Sequence, residues 1–420
     1  MSVGVLVRRP AYRALLTGQS VSAIGDWMAT VAFMVLVLEV TGSPLAVGGI
    51  LTLRLLPAAI GGPLAARAAH RWDRRRTMLA MDALRAAMVT VVPFVRGLWW
   101  IYLWAFLLEV ASLVFLPARD ASIPDLVDES QLPLANGLVL GSSYGSIPVG
   151  AAMFAAVAAL PLVDIANRPL ALVFWVDAVT FLISFAFLSR LTNLGSPPAA
   201  TGEESIGLRG AFSIPLVRAV MPAAAAVALG LGALFSLGIV FVRDVLDAGD
   251  VGFGLLIALF GVGAAGGVAI LQRQHGTDSL VTTRLGVATI GVIVALFSLA
   301  PALWVAFLGA VAFGAAAAYT LASAMATVQS RLDGPDRVLA FTAFHVVIRV
   351  ALGLAAVGAG VAGDVLGSVH WPLVGKLEPS RMVLLCSGLL VFLSSALVRE
   401  RLRRFGTDAS SAEPQDKGGS

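Results

Sequence analysis

The chain has 420 residues, 58% of them apolar and only 13% charged, with a mean hydropathy of +0.90 and a formal net charge of +4. Soluble globular proteins carry about twice that charged fraction, so water is excluded as the main solvent of this fold and the bilayer takes its place. The lone Cys386 excludes an intramolecular disulfide and argues against a thiolate metal cluster, and His70, His275, His345 and His370 lie too far apart for metal-ligand spacing.

A membrane helix needs about 20 mostly apolar residues. Windows of that kind fall at 14–38, 45–67, 78–96, 99–118, 136–160, 170–189, 216–241, 251–271, 281–299, 302–325, 338–362 and 380–398. The pattern predicts an all-α polytopic membrane protein of twelve transmembrane helices. The first run is too long for the apolar core of a signal peptide and reads as an uncleaved span. Near the middle, "LTNLGSPPAATGEESIGLRG" has linker composition. The end, "GTDASSAEPQDKGGS", has that of a disordered terminus. The expected organisation is a six-helix bundle over 1–190, a cytoplasmic linker over 191–213, a second six-helix bundle over 214–400 and a disordered tail over 401–420.

Basic residues orient the spans. Sorted by alternate sides, 21 Lys and Arg fall with the two termini and five fall opposite (Arg96, Arg168, Arg243, Lys376 and Arg381), while Arg54, Arg85 and Arg349 lie within spans. Positive charge collects on the cytoplasmic side, so both termini are expected in the cytoplasm and the chain in the cytoplasmic membrane. The run "HRWDRRR" at 70–76 then becomes a tight cytoplasmic turn rather than a nucleic-acid patch. The halves also echo each other. "LVDESQLPLANGL" aligns with "RLDGPDRVLAFTAF" at an offset of 205, matching Asp128 with Asp333, Leu134 with Leu339 and Ala135 with Ala340. Six-plus-six repeats are a common build among secondary transporters.

Four stretches carry a more specific signal: "FMVLVLEVTGSPLAVG", "RWDRRRTMLAMDALRA", "LPARDASIPDLVDESQLPLANGL" and "FWVDAVTFLISF". Through them nearly the whole chain resembles the major facilitator superfamily, within it the bacterial efflux branch of enterobactin- and macrolide-exporter-like proteins. The family's loop motif is G-x-x-x-D-R-x-G-R-R. Arg71, Arg74 and Arg75 match it, Asp82 and Arg85 continue it, Asp73 takes the second glycine position, and Ala66 and His70 depart from it. The resemblance implies a gating role, with Arg71 and Arg75 controlling the cytoplasmic opening and Asp73 or Asp82 as their acid partners. The same arginines also fit a simpler role as topology signals. In span five, "NGLVLGSSYGSIPVGAA" carries Gly137, Gly141, Gly145, Pro148 and Gly150, a degenerate copy of the family's exporter motif. Glycines four apart make a smooth helix face for close packing, which suits ordinary packing and a directional role equally. "GLLIALFGVGAAGG" in span eight is a similar surface.

Charges inside spans are costly unless paired or wetted. Asp26 lies near the middle of span one, Arg54 about 12 Å into span two and Glu109 about 15 Å into span four, at 1.5 Å per residue. Similar depth brings the three together as a candidate proton site, with Arg54 paired to one acid. Glu109 is the expected titrating group, because the resemblance implies that span four lines the central cavity. A static ion pair locking the bundle fits the same residues. Asp177 of "FWVDAV" reads as structural. Arg349, with His345 one turn before it, faces the substrate cavity or reaches across to the first half.

These features predict a proton-coupled exporter of a small amphipathic molecule, working as a monomer in the lipid bilayer by alternating access. Uptake, lipid movement, or a sensor or scaffold that no longer transports also fit. No phosphate-binding loop is present to drive transport by ATP within this chain, and no catalytic cluster marks an enzyme. No cofactor, metal or nucleic-acid partner is expected.

Overall fold

The computed structural model describes residues 3–61, 72–162, 170–192, 194, 208–274, 279–332, 334–366, 369–371 and 375–411. Hydrocarbon leaves no water for backbone N–H and C=O groups, so a spanning chain must satisfy them within helices. Among the described residues twelve long helices do this: α1 Pro10–Thr41, α2 Pro44–Ile60, α3 Arg74–Val91, α4 Leu98–Ser122, α5 Leu132–Ala158, α6 Ala171–Leu188, α7 Pro215–Val240, α8 Asp250–Arg273, α9 Ser279–Ser298, α10 Leu303–Arg331, α11 Gly334–Val365 and α12 Pro379–Ser411. Eleven helical stretches are long and apolar enough to cross a membrane. The exception is α2, an apolar helix of 17 residues; the second half of its expected span, from position 62, lies outside the described residues.

Local chemistry sets the helix ends. The turn from α1 to α2 closes on Gly42, whose φ of 65° suits a residue without Cβ and whose N–H donates to the Leu38 carbonyl. Ser43 then accepts from the Ala46 N–H and Pro44 opens α2, satisfying or removing donors that the first turn leaves over. Asp73 caps α3 by accepting from the Arg76 N–H at 2.7 Å.

The architecture is all-α as expected, with one short antiparallel pair, β1 (Val369–Trp371) with β2 (Gly375–Leu377), in the connection from α11 to α12. The tail expected to be disordered from 401 continues α12 as far as Ser411. "VRERLRR" is made of good helix formers, and Glu400 and Arg403 pair one turn apart at 3.1 Å, so nothing local stops the helix there.

The chain forms two compact units, Met1–Gly202 with Gly238–Gly261, and Glu203–Leu237 with Val262–Ser420. In the first, α1 packs on α5 and α6, α3 packs on α4 and α6, and α2 packs on α4. In the second, α9 packs on α10 and α12. The α3–α4 and α3–α6 pairs thus have counterparts six helices later. A further pair repeats through glycine. A Cβ at Gly150 of α5 would meet the Ile24 carbonyl oxygen of α1 at 2.5 Å, and one at Gly232 of α7 would meet that of Leu352 in α11 at the same distance. Ala135 and Ala340, matched by the offset of 205, are both fully buried near the start of their helices. The Tyr12 hydroxyl donates to the Ala135 carbonyl at 2.8 Å, tying the start of α1 to that of α5.

Candidate functional site

Two intramembrane carboxylates of the first unit, those of Asp82 and Asp26, meet at Arg85 of α3. Asp82, one turn earlier and fully buried, makes a short ion pair with it. The Arg85 guanidinium lies between the rings of Phe115 (α4) and Phe181 (α6), 4.4 Å from each centroid. A planar cation between two π-faces is stabilised by both ring quadrupoles, which matters more where water is excluded. Asp26 of α1 approaches the same guanidinium at 3.7 Å.

Arg54 of α2 faces Glu109 of α4 at 3.9 Å and lies 5.6 Å from the centroid of the Phe33 ring. The expected trio of Asp26, Arg54 and Glu109 is therefore regrouped: Glu109 takes Arg54, and the ion pair of Asp26 is with Arg85. Arg85, read as continuing the loop motif into span three, is 3% exposed and joins the intramembrane network. Its spacing from Asp82 carried that signal, because an Asp and Arg one turn apart on a membrane helix share a face. Accessibility separates the acids. The Asp26 side chain keeps 35% of its surface exposed and that of Glu109 26%, whereas Asp82 has none.

Asp177 of α6 is buried, and its Oδ1 accepts from the Thr180 hydroxyl at 3.1 Å. A Cβ at Gly25 would collide with both Asp177 and Thr180. The acid therefore packs directly on the α1 backbone beside Asp26. Four carboxyls and two guanidiniums occupy this region of the first unit.

The loop arginines bind locally. Arg74 donates to the Ala121 carbonyl and to Asp125, both at 2.7 Å, tying α3 to the end of α4. Arg75 donates to the carbonyl of Ser189, which ends α6. A cation at a helix C-terminus also meets the negative end of the dipole. Arg75 was expected to pair with Asp73 or Asp82. Instead Asp73 is the α3 cap and Asp82 is committed to Arg85. His70 and Arg71 lie outside the described residues.

The span-five glycines divide in two. Among the described residues nothing comes within 4 Å of a Cβ placed at Gly137, Gly141 or Gly145, so the close packing expected of them is not made there. It falls to Gly150 against α1 and to Pro148, whose Cβ lies 2.7 Å from the Cβ position of Gly261 in α8. Gly254, two turns before Gly261, receives Phe154 and Ala155 of α5 in the same way. Arg243, in the π-helical turn after α7, reinforces this contact. It binds Asp250 at the start of α8, with Nε at 3.0 Å, and reaches Glu39 of α1 at 3.3 Å. Arg243 had counted only as a topology residue in the sequence, since its partners are far away along the chain.

In the second unit Arg349 is partly buried and makes no ion pair or hydrogen bond among the described residues. The imidazole Nδ1 of His345 lies 2.9 Å from the Phe341 carbonyl. No cluster of metal-ligating side chains occurs among the described residues.

A family model described as the Major Facilitator Superfamily matches residues 15–356. The chain belongs to that superfamily. It is a multi-pass membrane protein and a transporter by family. An uncharacterized MFS-type transporter, YfiS of Bacillus subtilis, is 26% identical over 292 residues, covering 66% of this chain and 68% of YfiS. Macrolide efflux protein A of Streptococcus pyogenes is 30% identical over 131 residues, but those make up only 30% of this chain and 32% of that protein. The major facilitator fold is also seen in solved structures. A bacterial homolog of the human lysosomal transporter Spinster, inward-facing and unoccupied, superposes with a TM-score of 0.75 at 16% identity, covering 95% of this chain and 97% of that one. A bacterial homologue of the iron transporter ferroportin, in an inward-facing state, gives 0.70 at 13%, covering 96% and 100%.

Proposed function

We propose that this major facilitator protein is a secondary active transporter that exports a small amphipathic molecule in exchange for protons, by alternating access. The observation that carries this reading is the charge imbalance around Arg85: Asp26, Asp82, Asp177 and Glu109 share two guanidiniums, those of Arg54 and Arg85. An unmatched carboxylate in a dry membrane interior costs several kcal/mol, so an excess of acids there is a store for protons. The partial likeness to a protein named for macrolide efflux supports export of an amphipathic molecule.

Within this network Asp26 is the acid that exchanges its proton. Asp82 already matches the charge of Arg85 and has no access to water, and Glu109 faces Arg54. Asp26 is the most open of the four, and the guanidinium it approaches is already matched by Asp82. This replaces the sequence-based choice of Glu109. Arg349, near the middle of α11, is the complementary group for a carbonyl-rich or anionic part of the substrate. The bundles over 1–190 and 214–400 then rock against each other in the cytoplasmic membrane. Both termini lie in the cytoplasm, a placement supported by the 21 basic residues on their side.

Transport of labelled macrolides and amphipathic dyes into and out of proteoliposomes tests this. An imposed pH gradient should drive movement by the native chain. Asp26→Asn should lose gradient-driven movement by about tenfold or more, about 1.4 kcal/mol in the coupled step, and keep substrate exchange at equal pH. Gradient-driven transport by Asp26→Asn at the native rate would overturn the assignment.

A further inference from the structure

We propose that the seam between α9 and α12 binds an anionic phospholipid, its phosphate between Arg284 and Arg399 and an acyl chain in the groove below. The groove has a volume of about 360 Å³ and is lined by Arg284, Leu285 and Ala288 of α9 and by Phe392, Leu393, Ser395, Ala396 and Arg399 of α12. Both arginines therefore stand at one mouth, at the start of one helix and towards the end of the other.

The two walls differ in chemistry along their length. At the mouth are two guanidiniums, with the Ser395 hydroxyl one turn below Arg399. Neither arginine makes an ion pair or hydrogen bond among the described residues, and the neighbouring Glu400 is held by Arg403. Leu285 beside Arg284, and Phe392 and Leu393 deeper in, are exposed apolar surface. Phe392 is seven residues from Arg399, about 10 Å along the helix at 1.5 Å per residue. That is the length over which a lipid passes from phosphate to acyl chain.

Closely packed backbones bound the inner end. A Cβ at Gly291 would fall 2.7 Å from the Phe392 Cβ, and one at Gly388 would fall 2.5 Å from the Ala295 amide nitrogen. The helices touch there and close the groove at the end away from the arginines. Arginine suits this mouth because its donors match two phosphate oxygens at once. Basic pockets between membrane helices that open to a headgroup region are established sites for anionic lipids. A zwitterionic lipid would bring its own cation to two arginines, and free phosphate would leave the apolar wall unused. Charge complementarity together with the apolar depth selects the anionic lipid.

Native mass spectrometry of the full chain, purified in detergent and titrated with phosphatidylglycerol, phosphatidylcholine or inorganic phosphate, reads the site directly. Retained phosphatidylglycerol is expected, with weaker phosphatidylcholine. Arg284→Gln should lower apparent affinity about five-fold, and the double variant Arg284→Gln/Arg399→Gln about thirty-fold, since each basic residue near a membrane surface contributes about that factor. Ala396→Phe fills the groove with both charges intact and should also lower it, separating seat from charge. Equal retention of the two lipids, competition by inorganic phosphate, unchanged binding in the double variant, or a second copy of the chain held at this face instead of lipid would each overturn the proposal.

Discussion

At the residue scale, Arg85 holds the network together. Removing one partner of a buried pair strands the other charge, at a cost of about 3–5 kcal/mol. Arg85→Ala leaves Asp82 fully buried with no counter-ion, so a large fall in melting temperature in detergent is expected. Arg85→Lys keeps the charge but loses the planar fit between Phe115 and Phe181, at a cost of about 1–2 kcal/mol for the lost ring contacts. Arg85→Ala/Asp82→Asn should recover part of the loss by removing the stranded charge. A melting temperature for Arg85→Ala equal to the native one would show that Asp82 is not held by this pair. The sequence disclosed every member of the network, because charged residues stand out in apolar spans. It did not disclose the pairing. Depth along a helix follows from counting residues, whereas the direction in which a side chain points depends on helix rotation, which only packing fixes. Asp26 and Arg54 share a depth and still take different partners.

At the element scale, the helices were legible because twenty-residue apolar windows have few alternatives in lipid. Their ends were less so. Glu400 and Arg403 extend α12 past the window, and the short β-hairpin before it falls in a mixed segment without strong alternation. The glycines show the same limit. Four-residue spacing in α5 predicted one packed face through Gly137, Gly141 and Gly145, yet the close approach comes at Gly150 against α1. Spacing locates a smooth strip, and the partner helix decides which part of it is used. This makes a paired prediction. Gly150→Ala drives a methyl group to 2.5 Å from the Ile24 carbonyl oxygen, an overpacking strain of about 1–3 kcal/mol. Gly141→Ala meets nothing within 4 Å among the described residues and should stay within about 0.5 kcal/mol of native stability. Thermal unfolding in one detergent compares the two, and equal losses would contradict the α1–α5 packing described above.

At the scale of the whole molecule, chain order and packing disagree in one place, and the proposed function gives the disagreement meaning. Residues Gly238–Gly261 follow the linker in sequence but belong to the first compact unit. They are held by Arg243 on Asp250 and Glu39, by Gly254 against Phe154 and Ala155, and by Gly261 against Pro148. On the alternating access proposed above, a contact of this kind is made and broken in every cycle, so it should be strong in one state and absent in another. The glycines suit this, because smooth surfaces seat closely without interlocking side chains. Arg243 supplies the charged part, and its side chain is about a quarter exposed at 24%, open enough for water to take over when the contact parts. Removing it should shift the balance towards the open state. Ala155→Cys, on a Cys386→Ser background, places a thiol at a site now only 3% exposed. Labelling by a membrane-impermeant maleimide should be slow in that protein and about five- to thirty-fold faster once Arg243→Ala is added, the factor for a loss of about 1–2 kcal/mol. The substrate-free protein is the one to label, since a bound substrate shifts the same equilibrium by its own preference. Equal labelling with and without Arg243 would mean that the glycine contacts alone keep this face shut.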